Sequence, residues 1–343
     1  MGILFGKPFS LVPEFAWRAA LKHLPVPPMV TGKMSRVDLP SKIMGRIITV
    51  PLTPTQLLTL PRTQVQGRIS QAIDKARDLG ASVVGLGALT APASAGGKAF
   101  AKRTDVGVTN GNAFTAAMTL QAIEKLIPTL DRDPLIAIVG ATGSVGSCLT
   151  RLYARQHAGR LLLVARNEAR LQALAADVHG GSIEATISTN MADVAQADLV
   201  VLLTSSPDAL LRSEHLKRGA VVLDDTVPRN TDENLLTERP DVLIVDGGLV
   251  EIPGFDLRGS IALAPKLAYA CLAETMLLAL SGHKGHFCMG DAQVDQAEHI
   301  LKLANEHRHL GFHLAPFRSF GKEIRDVSSR ALNGPLEEVS CAA

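Results

Sequence analysis

The feature that most constrains the fold is a glycine-rich turn between an apolar strand and a helix. The strand is predicted over residues 135–139, the turn over residues 140–146, and the helix from Ser147 to His157. A short, continuous apolar run is typical of a strand buried on both faces of a parallel sheet. Glycines after such a strand let the backbone approach a pyrophosphate, whose charge the amide groups of the helix start bind. The pattern predicts a dinucleotide-binding turn, with a tight structural turn as the alternative.

The same alternation of strand and helix continues downstream of this turn. Further apolar runs predict strands over residues 161–165, 197–203, 220–223 and 242–245, and a helix is predicted over residues 167–178. Strands that are joined through helices pair in parallel, with helices on both faces of the sheet. The predicted fold class is therefore α/β: a Rossmann-type doubly wound parallel sheet, with a second, smaller α/β domain at the N-terminus and helices at the C-terminus.

Changes in residue pattern along the chain predict four regions. They are an N-terminal substrate- or acyl-binding domain (1–130), an NADP-binding domain (131–260), C-terminal helices that carry a candidate nucleophile and return to the first domain (261–318), and a flexible tail (319–343). Near the N-terminus, a short helix with an apolar face is predicted to end at Pro25. Core packing is favoured for it, and peripheral contact with a membrane or an acyl chain is the alternative. Another helix is predicted from Pro265, which suits a first helical turn, to Leu280.

Composition excludes several classes of protein. Of the 343 residues, 46% are hydrophobic and 20% are charged, and the formal net charge of +2 is too small to favour nucleic-acid binding. No apolar run reaches the ~18 residues expected of a membrane span, and no secretion signal is recognisable. The four cysteines lack a C-x-x-C pair, which favours reduced thiols and a cytoplasmic location.

The residues at the end of the second strand in this domain predict which cofactor it binds. Folds that bind NAD usually place Asp or Glu there, whereas this chain has Ala165, Arg166 and Asn167. Arg166 can pair with the 2′-phosphate of NADP and stack on the adenine, so NADPH is predicted, with a solvated arginine as the alternative. The predicted cofactor-binding residues are Gly140, Thr142, Gly143, Ser144, Val145, Gly146, Ala165, Arg166, Asn167, Thr204 and Ser205; the last two follow the fourth strand, where such sheets bind the nicotinamide half.

The candidate catalytic residue is Cys271, on the helix predicted from Pro265. A thiolate is a nucleophile that can hold an acyl group, although a buried cysteine more often packs as a small hydrophobic residue. Cys271 lies in the second turn of the predicted helix, where the helix dipole would stabilise its thiolate only weakly. Two histidine-containing clusters have spacing too loose to predict a metal site: His283, His286 and Cys288, and His307, His309 and His313.

Several segments around these residues share a common resemblance. They are residues 85–90, 109–116, 139–147, 164–167, 246–251, 270–278 and 282–290. Together they resemble the cyanobacterial-type long-chain acyl-[acyl-carrier-protein] reductases over about residues 66 to 315. The resemblance implies NADPH-dependent reduction of long-chain fatty acyl thioesters to fatty aldehydes, with Cys271 as the nucleophile. It also implies acyl carrier protein as acyl donor, with acyl-coenzyme A as an alternative, and a downstream enzyme that consumes the aldehyde.

The sequence departs from this family at two points. Phe114 stands where the family has histidine, and residues 262–266 shorten the charged segment before the cysteine. These departures leave the acyl chain length and the recognition of the carrier open. A basic stretch of Lys98, Lys102 and Arg103 is a candidate docking site for an acidic carrier protein, although a merely solvated face is favoured.

Two other classes of function remain open from the sequence. The two-domain plan also resembles the shikimate and quinate dehydrogenases, which use a lysine and an aspartate of the N-terminal domain. Their Asn-x-Thr-x-Pro-x-Lys context is not found in this chain, so this alternative is weaker. The other class is a non-catalytic NADP-binding partner protein, in which Cys271 only packs.

Overall fold

The computed structural model describes residues 26–179, 181–206, 210–259, 263–324 and 327. The chain divides into two compact units, one of residues 1–118 and 248–315 and the other of residues 119–247 and 316–343. The nucleotide-binding range predicted as 131–260 therefore differs at both ends from the structural unit that contains the glycine turn. The helix predicted before Pro25 and most of the predicted tail lie outside the described residues.

Short strands and helices alternate along the described chain. The strands are β1 (Met29–Arg36), β2 (Leu39–Thr49), β3 (Val83–Gly85), β4 (Gly107–Thr109), β5 (Leu135–Val139), β6 (Gly159–Val164), β7 (Ile183–Ser188), β8 (Leu199–Leu202), β9 (Val221–Asp224), β10 (Leu243–Asp246), β11 (Leu249–Glu251), β12 (Phe255–Gly259), β13 (Leu267–Tyr269), β14 (His313–Leu314), β15 (Arg318–Ser319) and β16 (Lys322–Glu323). The α-helices are α1 (Pro54–Thr59), α2 (Arg62–Asp78), α3 (Thr90–Ala93), α4 (Asn112–Leu126), α5 (Ser144–Gln156), α6 (Glu168–Val178), α7 (Leu235–Glu238), α8 (Ala270–Leu280) and α9 (Val294–Glu306). Within the described residues, none of these helices has the length and apolarity needed to span a bilayer.

The second unit is built on a six-stranded parallel sheet. Its strand order is β10-β9-β8-β5-β6-β7, which is the order of a dinucleotide-binding Rossmann fold. All residues of β8, β9 and β10 are buried, as expected for strands covered on both faces. The predicted fold class is confirmed.

Strand β7 was not predicted, although it pairs with β6 in parallel along its whole length. It is an edge strand whose side chains are mostly partly or fully exposed, and it carries polar residues such as Glu184 and Thr186. Prediction relied on continuous apolar runs, which the other five strands of this sheet have. An edge strand exposed on one side lacks that signature.

The first unit contains three small sheets and a helical core. Its sheets are ordered β12-β1-β2, β13-β11-β14 and β3-β4. Apolar side chains of α2 and β4, such as Ile69, Ile73 and Val108, form its buried core together with Phe100. The sequence predicted no secondary structure for residues 26–60. The structure has the hairpin of β1 and β2 in this range.

The helix predicted from Pro265 begins five residues later, at Ala270. Residues 267–269 instead form β13, which pairs antiparallel with β11. Lys266, just before this strand, has a φ of +66°, which no right-handed helix contains. The prediction that Cys271 lies in the second helical turn is therefore wrong, because Cys271 is the second residue of α8.

Candidate active site and dinucleotide turn

The glycine turn joins β5 to α5 with close contacts between backbone segments. Gly140 has a φ of +90°, and the amide of Gly143 donates a hydrogen bond to the Gly140 carbonyl at 2.9 Å. A Cβ atom added to Gly146 would lie 2.4 Å from the Gly140 oxygen, and one added to Gly140 would lie 2.8 Å from the Leu203 oxygen. Side chains are therefore excluded at Gly140 and Gly146, because neighbouring backbone segments occupy the space that a Cβ atom would need.

The residues at the start of α5 fit a pyrophosphate group. Gly143 is the N-cap of this helix and has no side chain to occupy the amide groups of the first turn. The amides of the first turn belong to Ser144, Val145 and Gly146 and lie at the amino end of the helix. Thr142 precedes them and is partly exposed. The positive end of the helix dipole favours an anion at this position.

Of the three residues after β6, two make hydrogen bonds within the fold and one is exposed. The amide of Ala165 donates to the Ser188 carbonyl at 3.2 Å, which continues the pairing with β7. Asn167 caps α6, because its side-chain oxygen accepts from the amide of Arg170 at 3.0 Å. Arg166 is exposed at the carboxyl end of β6, where folds with this strand order hold the adenosine ribose.

The loop after β8 is held by side-chain hydrogen bonds. The hydroxyl of Thr204 donates to the side-chain oxygen of Asn230 and accepts from the amide of Ser206 at 3.2 Å. Thr204 therefore organises this loop, and Ser205 between these residues is exposed. Both lie at the carboxyl edge of the sheet, as predicted for residues near a nicotinamide.

Asp225 is an acid at the same edge that the sequence interpretation missed. It follows β9 and accepts a hydrogen bond from the hydroxyl of Thr119 at 2.5 Å. Desolvation raises the pKa of Asp225 to about 7; the charge of neighbouring Asp224 adds to the effect and the Thr119 hydrogen bond opposes it. Two consecutive aspartates directly after a buried strand were the available signal.

Cys271 lies in the first turn of α8, against the turn that precedes α4. Tyr269 is the N-cap of α8, and the amide of Ala270 donates to the Gly248 carbonyl at 2.8 Å. Gly111 has a φ of +79°, and a Cβ atom on it would lie 2.3 Å from the Cβ of Cys271. The partly buried thiol therefore sits at a helix N-terminus, an environment that stabilises a thiolate.

Glu274 is fully buried one helical turn after Cys271. Its carboxylate accepts from the hydroxyl of Thr109 and, at 2.9 Å, from the amide of Phe114. Burial raises the pKa of Glu274 to about 7, and hydrogen bonds from Thr109 and from the amides of Phe114, Gly111 and Ala113 oppose the shift. Glu274 thus joins α8 to the start of α4. The sequence predicted no role for Glu274.

The loop that carries Cys288 completes this arrangement. The amide of Asn110 donates to the Cys288 carbonyl at 3.0 Å, and the Asn110 side-chain amide donates to Gly290 at 2.9 Å and to Gly96 at 3.0 Å. The amide of Cys288 donates to the Thr109 hydroxyl at 3.2 Å. Cys288 is buried and therefore structural. The hydrogen bonds of Thr109 and Asn110, which precede Gly111 in the chain, thus fix the turn that lies against Cys271.

Two other groups of predicted residues are engaged within the fold. His286 accepts from the amide of Val108 at 3.1 Å, and His313 contacts Glu251 at 3.1 Å. Among the described residues, no group of three metal-binding side chains comes together.

Arg103 of the predicted docking stretch pairs with Asp74 and Asp105, both at 2.6 Å, which neutralises its charge.

Comparisons with known proteins place the nucleotide-binding region in a class. The family model of shikimate/quinate 5-dehydrogenase matches residues 123–246. Aminotransferase PigE of Serratia sp. is 28% identical over 290 residues, which are 82% of this chain and 33% of that protein. Long-chain acyl-[acyl-carrier-protein] reductase of Synechococcus elongatus is 32% identical over 200 residues, which are 54% of this chain and 56% of that protein. The chain thus spans about a third and just over half of these relatives.

Solved structures with similar folds are distant. Quinate dehydrogenase from Corynebacterium glutamicum in complex with NAD has a TM-score of 0.30 and 20% identity, over 40% of this chain and 51% of that one. Glutamyl-tRNA reductase from Methanopyrus kandleri has a TM-score of 0.31 and 23% identity, over 53% and 46%. At these TM-scores, neither structure carries an argument about function.

The strand order, the glycine turn and the matching family model together define the class. The chain contains a Rossmann-type nucleotide-binding domain that is similar to that of the shikimate/quinate dehydrogenases. The similarity to long-chain acyl-[acyl-carrier-protein] reductase covers about half of the chain, so the predicted resemblance is confirmed only in part.

Proposed function

We propose that the chain reduces long-chain fatty acyl thioesters to fatty aldehydes with NADPH, through an acyl-enzyme on Cys271. The observation that carries the proposal is the position of Cys271 as the second residue of α8, with Gly111 packed against it. The partial similarity to the Synechococcus reductase supports the choice of substrate. Acyl carrier protein is the proposed acyl donor, and acyl-coenzyme A is the alternative donor.

Acyl transfer to Cys271 is the first step of the proposed reaction. The Cys271 thiolate attacks the thioester carbonyl carbon, and a new carbon–sulfur bond forms. The bond from that carbon to the donor sulfur then breaks, and the donor leaves as a thiolate that takes up a proton. The start of α8 assists because its dipole stabilises negative charge on the attacking sulfur.

Reduction and release form the second step. When bound, NADPH supplies the hydride that the acyl carbonyl carbon accepts. The bond from that carbon to Cys271 then breaks, the aldehyde is released, and the thiolate of Cys271 is restored. Over the cycle, one thioester and one proton yield one aldehyde and one donor thiol, and NADPH is oxidised to NADP⁺.

Two further residues have supporting roles in this proposal. Arg166 pairs with the 2′-phosphate and so selects NADPH over NADH, because a guanidinium binds a phosphate with charge-assisted hydrogen bonds. Glu274 is a positioning residue, since it holds the turn with Gly111 against α8 through Thr109 and Phe114. The aldehyde product is reactive, so we further propose that an aldehyde-consuming enzyme acts downstream.

Intact mass spectrometry tests the acyl-enzyme directly. After incubation with a hexadecanoyl thioester of acyl carrier protein, and without cofactor, the wild type should gain the mass of one acyl group. Cys271→Ser should gain none, because serine is a poor substitute in thioester exchange. Cys148→Ser is the matched control, since Cys148 is buried in α5, and it should still acylate. Aldehyde formation by Cys271→Ser would contradict the proposal.

Assays on the same protein preparation distinguish two alternative functions from the proposed one. The shikimate/quinate family model covers only residues 123–246, so it does not specify the substrate, and turnover of quinate or shikimate would overturn the proposal. PigE is matched over only a third of its length, so its name transfers no activity to this chain. A non-catalytic binding protein would bind NADPH and never acquire an acyl group.

A further inference from the structure

The hairpin of β1 and β2 exposes an unusual concentration of apolar side chains. Eight large hydrophobic residues are exposed among the described residues, and five lie on this hairpin: Val30, Val37, Leu39, Ile43 and Met44. Val37 is the most exposed, at 58%, and lies in the turn between the strands. Single exposed apolar residues are normal on a protein surface, whereas five within one hairpin indicate a surface that contacts something.

The same hairpin carries a row of positive charges across the sheet. Lys33 of β1 lies directly opposite Arg46 of β2 on one side and Arg258 of β12 on the other. Directly opposed residues of antiparallel strands project from the same face, and like charges in such positions destabilise the sheet. All three side chains are exposed. Asp256 pairs with Arg258 at 2.6 Å and compensates part of this charge. The opposed cations Lys33 and Arg46 favour an anionic partner.

One of the exposed apolar side chains, that of Ile43, follows the cation row in the pairing of β1 with β2, which is irregular on both sides of Ser35. Ser35 follows Lys33 by two positions on β1 and therefore projects to the same side, and its partner across the sheet is Ile43. Residues 29–49 contain four Lys or Arg residues and one acidic residue, Asp38, which pairs with Arg36 at 2.5 Å. The hairpin thus carries exposed cations and exposed apolar side chains close together.

We propose that this face of the β1–β2 hairpin docks on an anionic lipid bilayer. Its cations complement anionic headgroups, while Ile43 and the apolar residues around the hairpin turn enter the interfacial region. A symmetric contact with a second copy would bring the cation row against itself, which disfavours self-association. Protein–protein interfaces are depleted of lysine, so Lys33 and Lys42 favour a lipid surface over an acidic protein. The proposal does not depend on the reaction at Cys271.

Co-sedimentation of the full chain with vesicles tests the proposal. Vesicles of phosphatidylcholine with phosphatidylglycerol should bind the protein at low salt, and binding should weaken as salt rises. Vesicles of phosphatidylcholine alone should bind it weakly. Each cation contributes about five-fold to the affinity, so the triple variant Lys33→Glu, Lys42→Glu, Arg46→Glu should lose about 100-fold or more. Replacing Val37, Leu39 and Ile43 by serine should reduce the binding that persists at high salt.

Matched variants separate docking from folding and from net charge. Lys125→Glu, Lys284→Glu, Lys302→Glu makes the same change in net charge at exposed positions outside the hairpin and should retain vesicle binding. Lys33→Glu alone relieves the repulsion with Arg46, so its Tm should not fall while its binding does. Absence of binding to anionic vesicles at low salt would overturn the proposal. Equal losses in the two triple variants, or concentration-dependent dimerisation through the hairpin, would also overturn it.

Discussion

At the thiol, a residue without a side chain allows two segments to meet. Gly111 has a left-handed backbone conformation and lies against the Cα and Cβ atoms of Cys271. Elsewhere a glycine of similar conformation, Gly80, faces open space with no atom within 4 Å of an added Cβ. The two positions share a backbone requirement but differ in packing. Comparing substitutions at Gly111 and Gly80 therefore separates the effect of conformational strain from the effect of contact with Cys271.

We expect Gly111→Ala to damage the site far more than Gly80→Ala does. Both changes place alanine at positive φ, which costs about 1–2 kcal/mol. Only the Gly111 variant also forces a Cβ atom to within 2.3 Å of the Cys271 Cβ. Urea unfolding should show the larger loss for Gly111→Ala, and alkylation of Cys271 should change only in that variant. Equal effects of the two substitutions would show that contact with Cys271 is unimportant.

At the cofactor turn, we expect Arg166→Asp to weaken NADPH binding and to narrow the preference over NADH. The variant loses a charge-assisted hydrogen bond of about 1.5–3 kcal/mol, which corresponds to roughly 10- to 150-fold in affinity. Fluorescence titration with each nucleotide measures the change. Arg132→Asp is the control, because Arg132 precedes β5 and so lies at the amino edge of the parallel sheet. If NADPH affinity is unchanged, Arg166 does not contact the phosphate.

At the level of elements, a short strand sets the start of α8, the helix that carries Cys271. The backbone of β13 is used in pairing with β11, so α8 begins only after Tyr269. The end of β4 is joined to α8 through Thr109, whose hydroxyl donates to Glu274 and accepts from the amide of Cys288. One hydroxyl therefore links a strand, a helix and a loop around the thiol.

Thr109→Val should destabilise the protein by about 1–3 kcal/mol, the cost of leaving buried polar groups unsatisfied. Valine matches the shape of threonine but can neither donate to Glu274 nor accept from Cys288. Thr109→Ser keeps the hydroxyl and is the matched control, with a smaller loss from the missing methyl group. Denaturant unfolding at constant pH measures both variants. Equal stability of the valine and serine variants would show that the hydroxyl contributes little.

For the whole molecule, buried Glu274 and partly buried Asp225 make stability depend on pH near neutrality. The pKa of Glu274 in the first unit rises to about 7 from 4.5, and that of Asp225 in the second unit rises to about 7 from 3.8. The folded state therefore binds more protons than the unfolded state between these values. Their contribution to stability is complete below the unfolded pKa values and is lost as pH rises through about 7.

We expect the free energy of unfolding to fall between about pH 5 and pH 8, by up to about 1.4 kcal/mol for each unit by which a pKa is raised. Glu274→Gln and Asp225→Asn should each flatten this dependence. Asp241, whose pKa Arg239 lowers to about 2, affects stability only at more acidic pH and does not obscure the result. Urea titrations across this range provide the measurement. A free energy that rises over the same range in the wild type would contradict the assignment.

Local sequence patterns determined the nucleotide-binding part of this protein. The strands β5, β8, β9 and β10 are continuous apolar runs because both of their faces are covered, so each is recognisable without knowledge of its neighbours. The glycine turn is equally local, since its residues lie close together in sequence and the conformation depends on their small size. The α/β class and the candidate cofactor residues followed from these patterns.

Only the tertiary structure decided the setting of the thiol and the face of the hairpin. The start of α8 depends on the pairing of β13 with β11, and the contact of Gly111 with Cys271 joins segments remote in sequence. The alignment of Lys33 with Arg46 and Arg258 depends on the register of three strands. Residue pattern reports how much of an element is covered, but it does not identify the partner that covers it. The positions of Glu274, Gly111 and the cation row therefore depend on packing and pairing between segments that are distant in sequence.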